Sequence, residues 1–370
     1  MLVTLIMIFL FLVSVIVYYF VSSMLKWQRN VNRRGDPGTN VEPVSIIIAA
    51  YNEEDYLVDK LTFLLSEKEW IPESELIVIS AGSTDRTNSF LLQFENDERV
   101  TRIILKEHLT KPQALNRAVS IAKNRLLVFS DCRQRLSEGA VRVITSYFEN
   151  PTIGAVNATI SDTKYGGKVS LLRRISNMIC LSESFEGSSL NLHGAFYALR
   201  KVLFKPFPVD LIHDDLFTLV NTVAQKKRLI QTDKVLVYDM ALSDYYEKSR
   251  IDRLVKGLLS FAYIHWDLIR QLEFKYKIRF LLFKYAKLTI PFIGLAVVVP
   301  IVNLMNDMMG WQLCTLVLAG PIILTLLFRK GRKFLAFFLR IQFYFVLSTF
   351  KFVVLNQRTG YYVKLSVKTA

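Results

Sequence analysis

Cysteine is scarce in this chain of 370 residues. Only Cys132, Cys180 and Cys314 occur, and no two of them are close neighbours in sequence. This count excludes a disulfide framework, a zinc ligand set and a paired redox motif. It is typical of a domain kept in a reducing compartment. Disorder is excluded as well, because apolar residues make up 52% of the chain and aromatic residues 12%.

The common nucleotide and nucleic-acid fingerprints are also missing. Neither a dinucleotide-binding glycine motif nor a Walker A sequence occurs, so a P-loop is not supported. The 47 Lys and Arg exceed the 32 Asp and Glu by 15 charges, which suits nucleic acid, an anionic membrane or a phosphate-bearing substrate. Nucleic acid is the weakest of these explanations, because no helix-turn-helix, zinc or RNA-binding signature accompanies the charge.

Long charge-free stretches are present at both ends of the chain. Residues 1–25 carry no charge and would form a helix of about 37 Å, enough to cross a hydrocarbon core of about 30 Å. They lack the basic start and the small-residue cleavage site of a signal peptide. Residues 288–328 hold two further apolar stretches separated at Asp307, which predicts a transmembrane hairpin.

Basic residues set the expected orientation of these spans. Lys and Arg follow residues 1–25, in the linker 26–41, and follow the hairpin, whereas the hairpin turn has neither. The positive-inside rule therefore places the middle of the chain in the cytoplasm, and we expect an integral protein of the plasma (inner) membrane. Residues 241–287 mix basic and aromatic side chains, which predicts interfacial helices. Residues 334–355 are either a third span or an interfacial helix, before a tail at 356–370.

Residues 42–240 alternate short β-branched runs with helical periodicity, as βαβ units do. Their apolar runs predict parallel strands buried on both faces. Cap-forming residues after the strands predict helix starts. The predicted strands are Val44–Ala50, Leu76–Ile79, Thr101–Leu105 and Leu126–Ser130, and the predicted helix starts are Asn52, Ser83, Thr110 and Ser137.

Polar segments follow three of the predicted strands, at 50–53, 80–85 and 130–134. Ligands bind beyond the carboxyl ends of the strands in open parallel sheets. Together with the nearby Lys111, these segments predict a pocket for a nucleoside diphosphate. The Gly-Ser turn at Gly82 is weak evidence by itself, because such turns are often only helix caps.

The serial order of these segments resembles the family 2 inverting glycosyltransferases, over residues 44 to 257. The resemblance is strongest to membrane-bound members that build polysaccharides. It implies an α/β fold of the GT-A type, with a Rossmann-like, mostly parallel sheet, in a cytoplasmic domain at 42–240 flanked by transmembrane helices. The helices at 241–287 would then close the active site. The segments that carry the resemblance are VSIIIAAYNE (44–53), SAGSTDRT (80–87), KPQALN (111–116), FSD (129–131), HGAFYALR (193–200), HDD (213–215) and RIDRLVKG (250–257).

The resemblance also implies roles for particular residues. Inverting transfer needs a base for the acceptor hydroxyl, and the family pattern assigns that role to Asp215, with Asp214 orienting the site. By itself an Asp-Asp pair is more often a helix cap, but the ordered upstream motifs favour the catalytic interpretation. His193 and Gly194 begin the segment that meets the acceptor side. The implied donor-binding residues are Asn52, Glu53, Asp85, Lys111, Asp131, Arg133, Arg250 and Arg253.

The chain departs from the family pattern at three positions. Arg133 replaces the second carboxylate of the Asp-x-Asp motif, so either Mg²⁺ or Mn²⁺ binds through Asp131 or Arg133 supplies part of the metal's charge. Ala81 replaces a common base-contacting acidic residue, so a UDP-sugar donor is inferred only from the membrane layout. Leu254 replaces a tryptophan that processive members carry, which disfavours long-chain processive synthesis.

These patterns leave three functional hypotheses. The first is membrane-bound transfer of a hexose or N-acetylhexosamine from a nucleoside diphosphate sugar to a lipid-linked or growing polysaccharide. The second is transfer to a polyprenyl phosphate, and the third is a catalytically silent membrane scaffold subunit. The expected partners are the donor, the acceptor, membrane lipids and an export protein, and no nucleic acid.

Overall fold

The computed structural model describes residues 14, 18–19, 21–29, 38–161, 171–238, 244–285, 288, 302 and 328–354. These residues form two compact units. The sheet unit lies within 22–241 and 266–276, and the helical unit lies within 1–21, 242–265 and 277–370. The predicted spans at 1–25 and 288–328 fall largely outside the described residues. Within the described part of the chain, no helix is both long enough and apolar enough to cross a bilayer.

An eight-stranded sheet forms the centre of the sheet unit. Its strands are β1 (Val44–Ala50), β2 (Glu75–Ala81), β3 (Val100–Leu105), β4 (Leu126–Ser130), β5 (Arg135–Leu136), β6 (Ile153–Ser161), β7 (Phe196–Arg200) and β8 (Arg228–Tyr238). Their order in the sheet is β3-β2-β1-β4-β7-β6-β8-β5. The apolar side chains of β2 and β4 are all buried, and so are all but one of those of β1, as expected for strands covered on both faces. On the edge strand β3, Ile104 is 39% exposed.

The two halves of the sheet differ in strand direction. Strands β3, β2, β1 and β4 are mutually parallel, and all four were predicted. Strand β7 runs antiparallel to both of its neighbours, β4 and β6, whereas β6 and β8 are parallel. The sheet is therefore mixed in its later half. Strand β7 pairs with β4 and runs in the opposite direction.

Helices cover the sheet and form most of the described helical unit. Residues 21–29 are helical as well. Three-residue 3₁₀ turns occupy Tyr147–Glu149 and Lys201–Leu203, and a π-helical turn occupies Leu281–Tyr285. The longer helices are α1 (Leu57–Leu64), α2 (Thr87–Leu92), α3 (Lys111–Ile121), α4 (Ala140–Ser146), α5 (Leu171–Glu186), α6 (Asp214–Ala224), α7 (Asp244–Ile264), α8 (Trp266–Arg270), α9 (Phe274–Phe280) and α10 (Arg329–Val353).

Only one of the four predicted helix starts is confirmed. Thr110 caps α3 with a reciprocal capping box that includes Gln113. The other three predictions are wrong, because those side chains bond across the fold instead of to their own helix. Asn52 and Ser83 join two loops, and the Ser137 hydroxyl accepts from the β8 backbone.

In the helical unit, α7 packs against α10. The Tyr285 hydroxyl donates to the Leu258 carbonyl at 2.9 Å, which ties the π-helical turn to α7. Helix α10 contains most of the segment 334–355, for which a span and an interfacial helix were both open. The predicted interfacial region 241–287 forms α7, α8 and α9, which are divided between the two units.

Candidate functional site

The loops that follow β1 and β2 are joined through Asn52. Its backbone lies in the left-handed region, with φ of 53°, which asparagine tolerates better than most residues. The Asn52 N–H donates to the Ser83 hydroxyl at 3.1 Å, and its side-chain oxygen accepts from the Thr84 N–H at 2.7 Å. Asn52 therefore holds the Gly-Ser turn against the end of β1.

Asp85 reinforces the same junction. Its carboxylate accepts from the Glu54 N–H at 3.3 Å and from the Thr87 N–H at 3.0 Å. The Glu53 N–H in turn donates to the Thr87 hydroxyl at 2.7 Å. The carboxylate of Asp85 thus shapes the two loops, and its support of a nucleoside pocket stays a prediction.

Gly82 lies against the backbone of the loop that contains His108. Its φ is +74°, and a Cβ added there would lie 2.8 Å from the Cα of His108. The His108 ring lies 4.5 Å from the ring of Tyr51, which directly follows β1. Glycine is required here both by the backbone conformation and by the space available.

A charged cluster lies beyond β4, centred on Lys111. The Lys111 ammonium is 2.7 Å from Asp131 Oδ1 and 3.5 Å from Asp214 Oδ2. Thr110 caps the helix that begins with Lys111, so the position of this ammonium is set by a local motif. Asp131 directly follows β4, and its N–H donates to the Ala195 carbonyl at 3.0 Å.

The two aspartates at the start of α6 have different environments. Asp214 is buried, which raises the pKa of its carboxyl group; the nearby Lys111 opposes this shift. Asp215 is more open, with 29% of its side chain exposed, and its Oδ1 lies 3.9 Å from Nδ1 of His213. Beneath them, burial and the charge of Asp214 raise the pKa of the Tyr197 phenol well above its usual range.

Gly194 borders this cluster directly. A Cβ added to it would lie 3.5 Å from the Lys111 ammonium nitrogen, 3.8 Å from the Asp215 Cβ and 3.9 Å from Asp214 Oδ2. Two contacts hold the preceding residue, His193, in place. Its N–H donates to the Asn157 side chain at 3.2 Å, and its ring nitrogen lies 3.0 Å from the amide of Asn191.

The structure thus brings several of the predicted residues together. Residues from four distant segments meet around Lys111, while Asn52, Glu53 and Asp85 form the junction at the ends of β1 and β2. Arg133 is half-buried in the loop that begins with Asp131. Arg250 and Arg253 lie on α7, in the helical unit. The residues that meet at the cluster are Lys111, Asp131, Gly194, Asp214 and Asp215.

Sequence reasoning missed Lys60, a buried cation under the Asp131 loop. Only 5% of Lys60 is exposed, and its ammonium donates to the Gln134 carbonyl and, at 3.4 Å, to the Ser130 hydroxyl. Burial lowers its pKa to about 8, so it stays charged at neutral pH. A signal was available, because Lys60 occupies the apolar stripe of α1, three residues after Leu57 and four before Leu64.

No metal site is evident in the described portion of the chain, where no group of three or more His, Cys, Asp or Glu residues is placed to hold an ion. The resemblance implied a site at Asp131, whose carboxylate is paired with Lys111.

Known proteins resemble both the sequence and the fold. The family model described as "Glycosyl transferase family 2" matches residues 45–205. A poly-β-1,6-N-acetyl-D-glucosamine synthase of Staphylococcus epidermidis is 26% identical over 209 residues, which cover 54% of this chain and 50% of the relative. The enzyme of the same name from Staphylococcus aureus is 24% identical over 210 residues, with the same coverage of each chain. The chain therefore spans about half the length of the curated relatives it matches.

A solved structure resembles most of the chain. It is a mannosyltransferase of Pyrobaculum calidifontis, determined in complex with GDP-Man and Mn²⁺. The TM-score is 0.67 and the identity 20%, and the match covers 92% of this chain and 97% of that one. At this identity the similarity establishes the fold, which is of the mixed α/β GT-A type.

Proposed function

We propose that the protein transfers a sugar from a nucleoside diphosphate sugar to a lipid-linked or growing polysaccharide, a proposal supported by the match of residues 45–205 to the family 2 glycosyltransferase model. The observation that carries this proposal is the cluster around Lys111, where charged residues from distant segments meet the acceptor-side segment at Gly194. The poly-N-acetyl-glucosamine synthases among the relatives support an N-acetylhexosamine as the transferred sugar, while a UDP-hexose or UDP-N-acetylhexosamine donor follows only from the membrane layout that the resemblance implies.

Asp215 is the proposed catalytic base. As an acceptor hydroxyl attacks the anomeric carbon, Asp215 takes its proton, and the diphosphate leaves from the opposite face with the bonding electron pair. The exposure of the two aspartates supports this choice. Asp215 lies beside Gly194 with 29% of its side chain exposed, whereas Asp214 is buried and 3.5 Å from Lys111, which suits it to orient the site.

The leaving diphosphate carries negative charge that cations must stabilise. Lys111 is the proposed contact from the sheet unit, and Arg133 follows on the neighbouring loop. For Arg250 and Arg253, a role as leaving-group cations stays what the sequence resemblance implies. On the other side of the donor, the junction built by Asn52 and Asp85 is proposed to seat the nucleoside.

Replacing Asp215 by Asn tests the assignment of the base. The amide keeps the shape of the side chain but cannot accept the acceptor's proton, so we expect transfer to fall by about 10²–10⁴-fold. Binding of UDP or GDP should stay within about threefold, because the proposed base does not contact the nucleotide. Transfer is measured with radiolabelled nucleotide sugars, and nucleotide binding by calorimetry.

Asp210→Asn is the matched control, since Asp210 is exposed and precedes the same helix. It should leave transfer unchanged. An Asp215→Asn variant with unimpaired transfer would remove the base assignment. Acid treatment of the wild-type product separates the acceptors, because a sugar linked to a polyprenyl phosphate is released by mild acid and a polysaccharide glycoside is not. A folded protein that binds no nucleoside diphosphate would favour the scaffold alternative.

A further inference from the structure

Polar side chains are buried on one face of strand β6. Side chains alternate between the two faces of a strand, and Val156, Ala158 and Ile160 belong to the apolar core, whereas Asn157 and Thr159 lie on the other face. Asn157 is fully buried. Burying an amide costs free energy unless it is hydrogen-bonded, and an apolar residue would pack a sheet equally well. The contacts of Asn157 therefore indicate why an amide occupies this position.

The Asn157 amide bridges two backbone groups of the loop that follows helix α5. Its oxygen accepts from the His193 N–H at 3.2 Å, and its nitrogen donates to the Asn191 carbonyl at 3.3 Å. A side-chain amide carries both a donor and an acceptor, as a peptide group does, so it can pair with backbone in the way that a neighbouring strand would. The same nitrogen donates to Gln231 Oε1 at 3.4 Å, and the Gln231 amide donates to the Thr159 hydroxyl at 3.1 Å. Gln231 thus orients the amide of Asn157.

The bridged loop has no regular structure of its own. Residues 187–195 form neither helix nor strand. Without a ladder of backbone bonds, side chains must satisfy the buried N–H and C=O groups of such a segment. The Leu190 N–H, for example, donates to the Glu183 carboxylate at 2.9 Å. The Asn157 bridge holds the end of the loop that leads to the charged cluster, since His193 directly precedes Gly194.

The two residues after His193 meet the charged cluster. A Cβ added to Gly194 would lie 3.8 Å from the Asp215 Cβ, and the Ala195 carbonyl accepts from the Asp131 N–H at 3.0 Å. Because Gly194 is covalently joined to His193, a shift of the His193 backbone would move it relative to Asp215. A misplacement of about 1 Å caused by a mutation far from the chemistry can slow an enzyme by about 10²-fold.

We propose that Asn157 is a positioning residue for sugar transfer, whose buried amide fixes the backbone at His193 and thereby the place of Gly194 beside Asp215. This inference rests on the proposed function, in which Asp215 is the base and the segment that begins at His193 meets the acceptor. Gln231 contributes to the same role only through Asn157.

The test compares sugar transfer with nucleotide binding by the full chain in detergent. Asn157→Ala removes both bonds to the loop and leaves the loops after β1 and β2, the proposed nucleoside seat, unchanged. We expect transfer from radiolabelled nucleotide sugars to fall by about 10–10²-fold. The dissociation constants of UDP and GDP, measured by calorimetry, should stay within about threefold. Release of free sugar by hydrolysis of the donor should fall less than transfer, because water does not need to be aligned by the loop.

Gln231→Met is the second variant, and it decides the test if Asn157→Ala does not fold. It removes the group that orients the Asn157 amide but keeps the amide itself, so transfer should fall in the same direction and by a smaller factor. Asn221→Ala is the matched control. Asn221 is also buried, but its amide donates to the Phe217 carbonyl at 3.0 Å, within its own helix. This control should lower the melting temperature and leave transfer unchanged.

The outcomes separate this inference from the proposed function. A folded variant that transfers sugar at the wild-type rate overturns the positioning role and leaves the proposed function standing. A parallel loss of transfer and nucleotide binding also overturns it, because that result would indicate a general structural role. Folded wild-type protein that binds neither UDP nor GDP and transfers no sugar overturns the proposed function, and the positioning role with it.

Discussion

At the scale of single residues, Lys60 is held in the charged form at a cost. Its ammonium has exchanged water for a backbone carbonyl and a hydroxyl, and the nearby Asp131 and Glu69 carboxylates favour the charged form without offsetting the cost of burial. A buried charge that is only partly compensated destabilises the folded state. The hydrogen bonds to Ser130 and Gln134 hold the Asp131 loop, which offers a reason for keeping Lys60.

The burial of Lys60 should make the free energy of unfolding depend on pH in the alkaline range. Its pKa is lowered from 10.5 to about 8 by burial, so between these values the unfolded chain binds a proton that the folded protein has released. Folding stability attributable to Lys60 therefore increases over that window, by about 3 kcal/mol in all. Denaturant unfolding of wild type and Lys60→Met should show this gain only in wild type.

Lys68→Met is the control for that experiment, because Lys68 is exposed and its removal should produce no comparable change. Parallel stability curves for wild type and Lys60→Met between pH 8 and pH 10.5 would show that Lys60 is not perturbed as described.

Gly82 and Gly139 provide a matched pair for a second residue-scale prediction. Both have positive φ, at +74° and +71°, but an added Cβ meets the His108 backbone at 2.8 Å in the first and nothing nearer than 4.0 Å in the second. Gly139→Ala should cost roughly 1–3 kcal/mol from backbone strain alone. Gly82→Ala should cost more, because the loop must also move. Chemical unfolding measures both, and equal losses would contradict the argument from crowding.

At the scale of elements, helix α3 carries the central cation of the site on its first turn. The capping box at Thr110 satisfies backbone donors that would otherwise be unpaired, and it fixes where the helix begins. Strand β7 positions the residues that face Lys111 from the other side of the cluster. Because it runs antiparallel to β4, its entry brings Ala195 to the Asp131 N–H and Gly194 to the cluster.

Removing the cap should therefore affect both stability and binding. Thr110→Ala is expected to cost about 1 kcal/mol in the free energy of unfolding. It should also weaken nucleotide binding, because Lys111 loses the constraint on its backbone. Ser120→Ala, near the other end of the same helix, removes a hydroxyl that bonds only locally and should change neither quantity appreciably. If the two variants changed nucleotide binding equally, the Thr110 cap would not be what positions Lys111 for the nucleotide.

At the scale of the whole molecule, the apolar stretches at 1–25 and 288–328 predict that the protein partitions into the membrane fraction of a cell lysate. We expect it to sediment with membranes after washing with high salt and with alkaline carbonate, and to be released by detergent, because buried apolar area rather than charge would hold it there. Immunoblots of the fractions provide the measurement. Release by salt alone would indicate peripheral attachment and contradict the predicted spans.

Local pattern determined much of the sheet unit. The bounds of β1 and β4 were predicted without error, because a continuous run of β-branched and apolar residues reports a buried parallel strand wherever it occurs. The cap at Thr110 was predicted for a similar reason, since its bonds lie within four residues. The ordered polar segments also indicated which edge of the sheet to examine and which family the chain resembles.

Contacts between distant segments were decided only by the tertiary structure. Asn52 and Ser137 looked like helix caps, but each bonds to a neighbouring element that a linear pattern does not reveal. The pairing of Lys111 with Asp131 and Asp214, and the burial of Lys60, likewise depend on which strands become neighbours. The sequence determines the charge and shape of each side chain, whereas the packing of the fold determines its partners and its exposure to water.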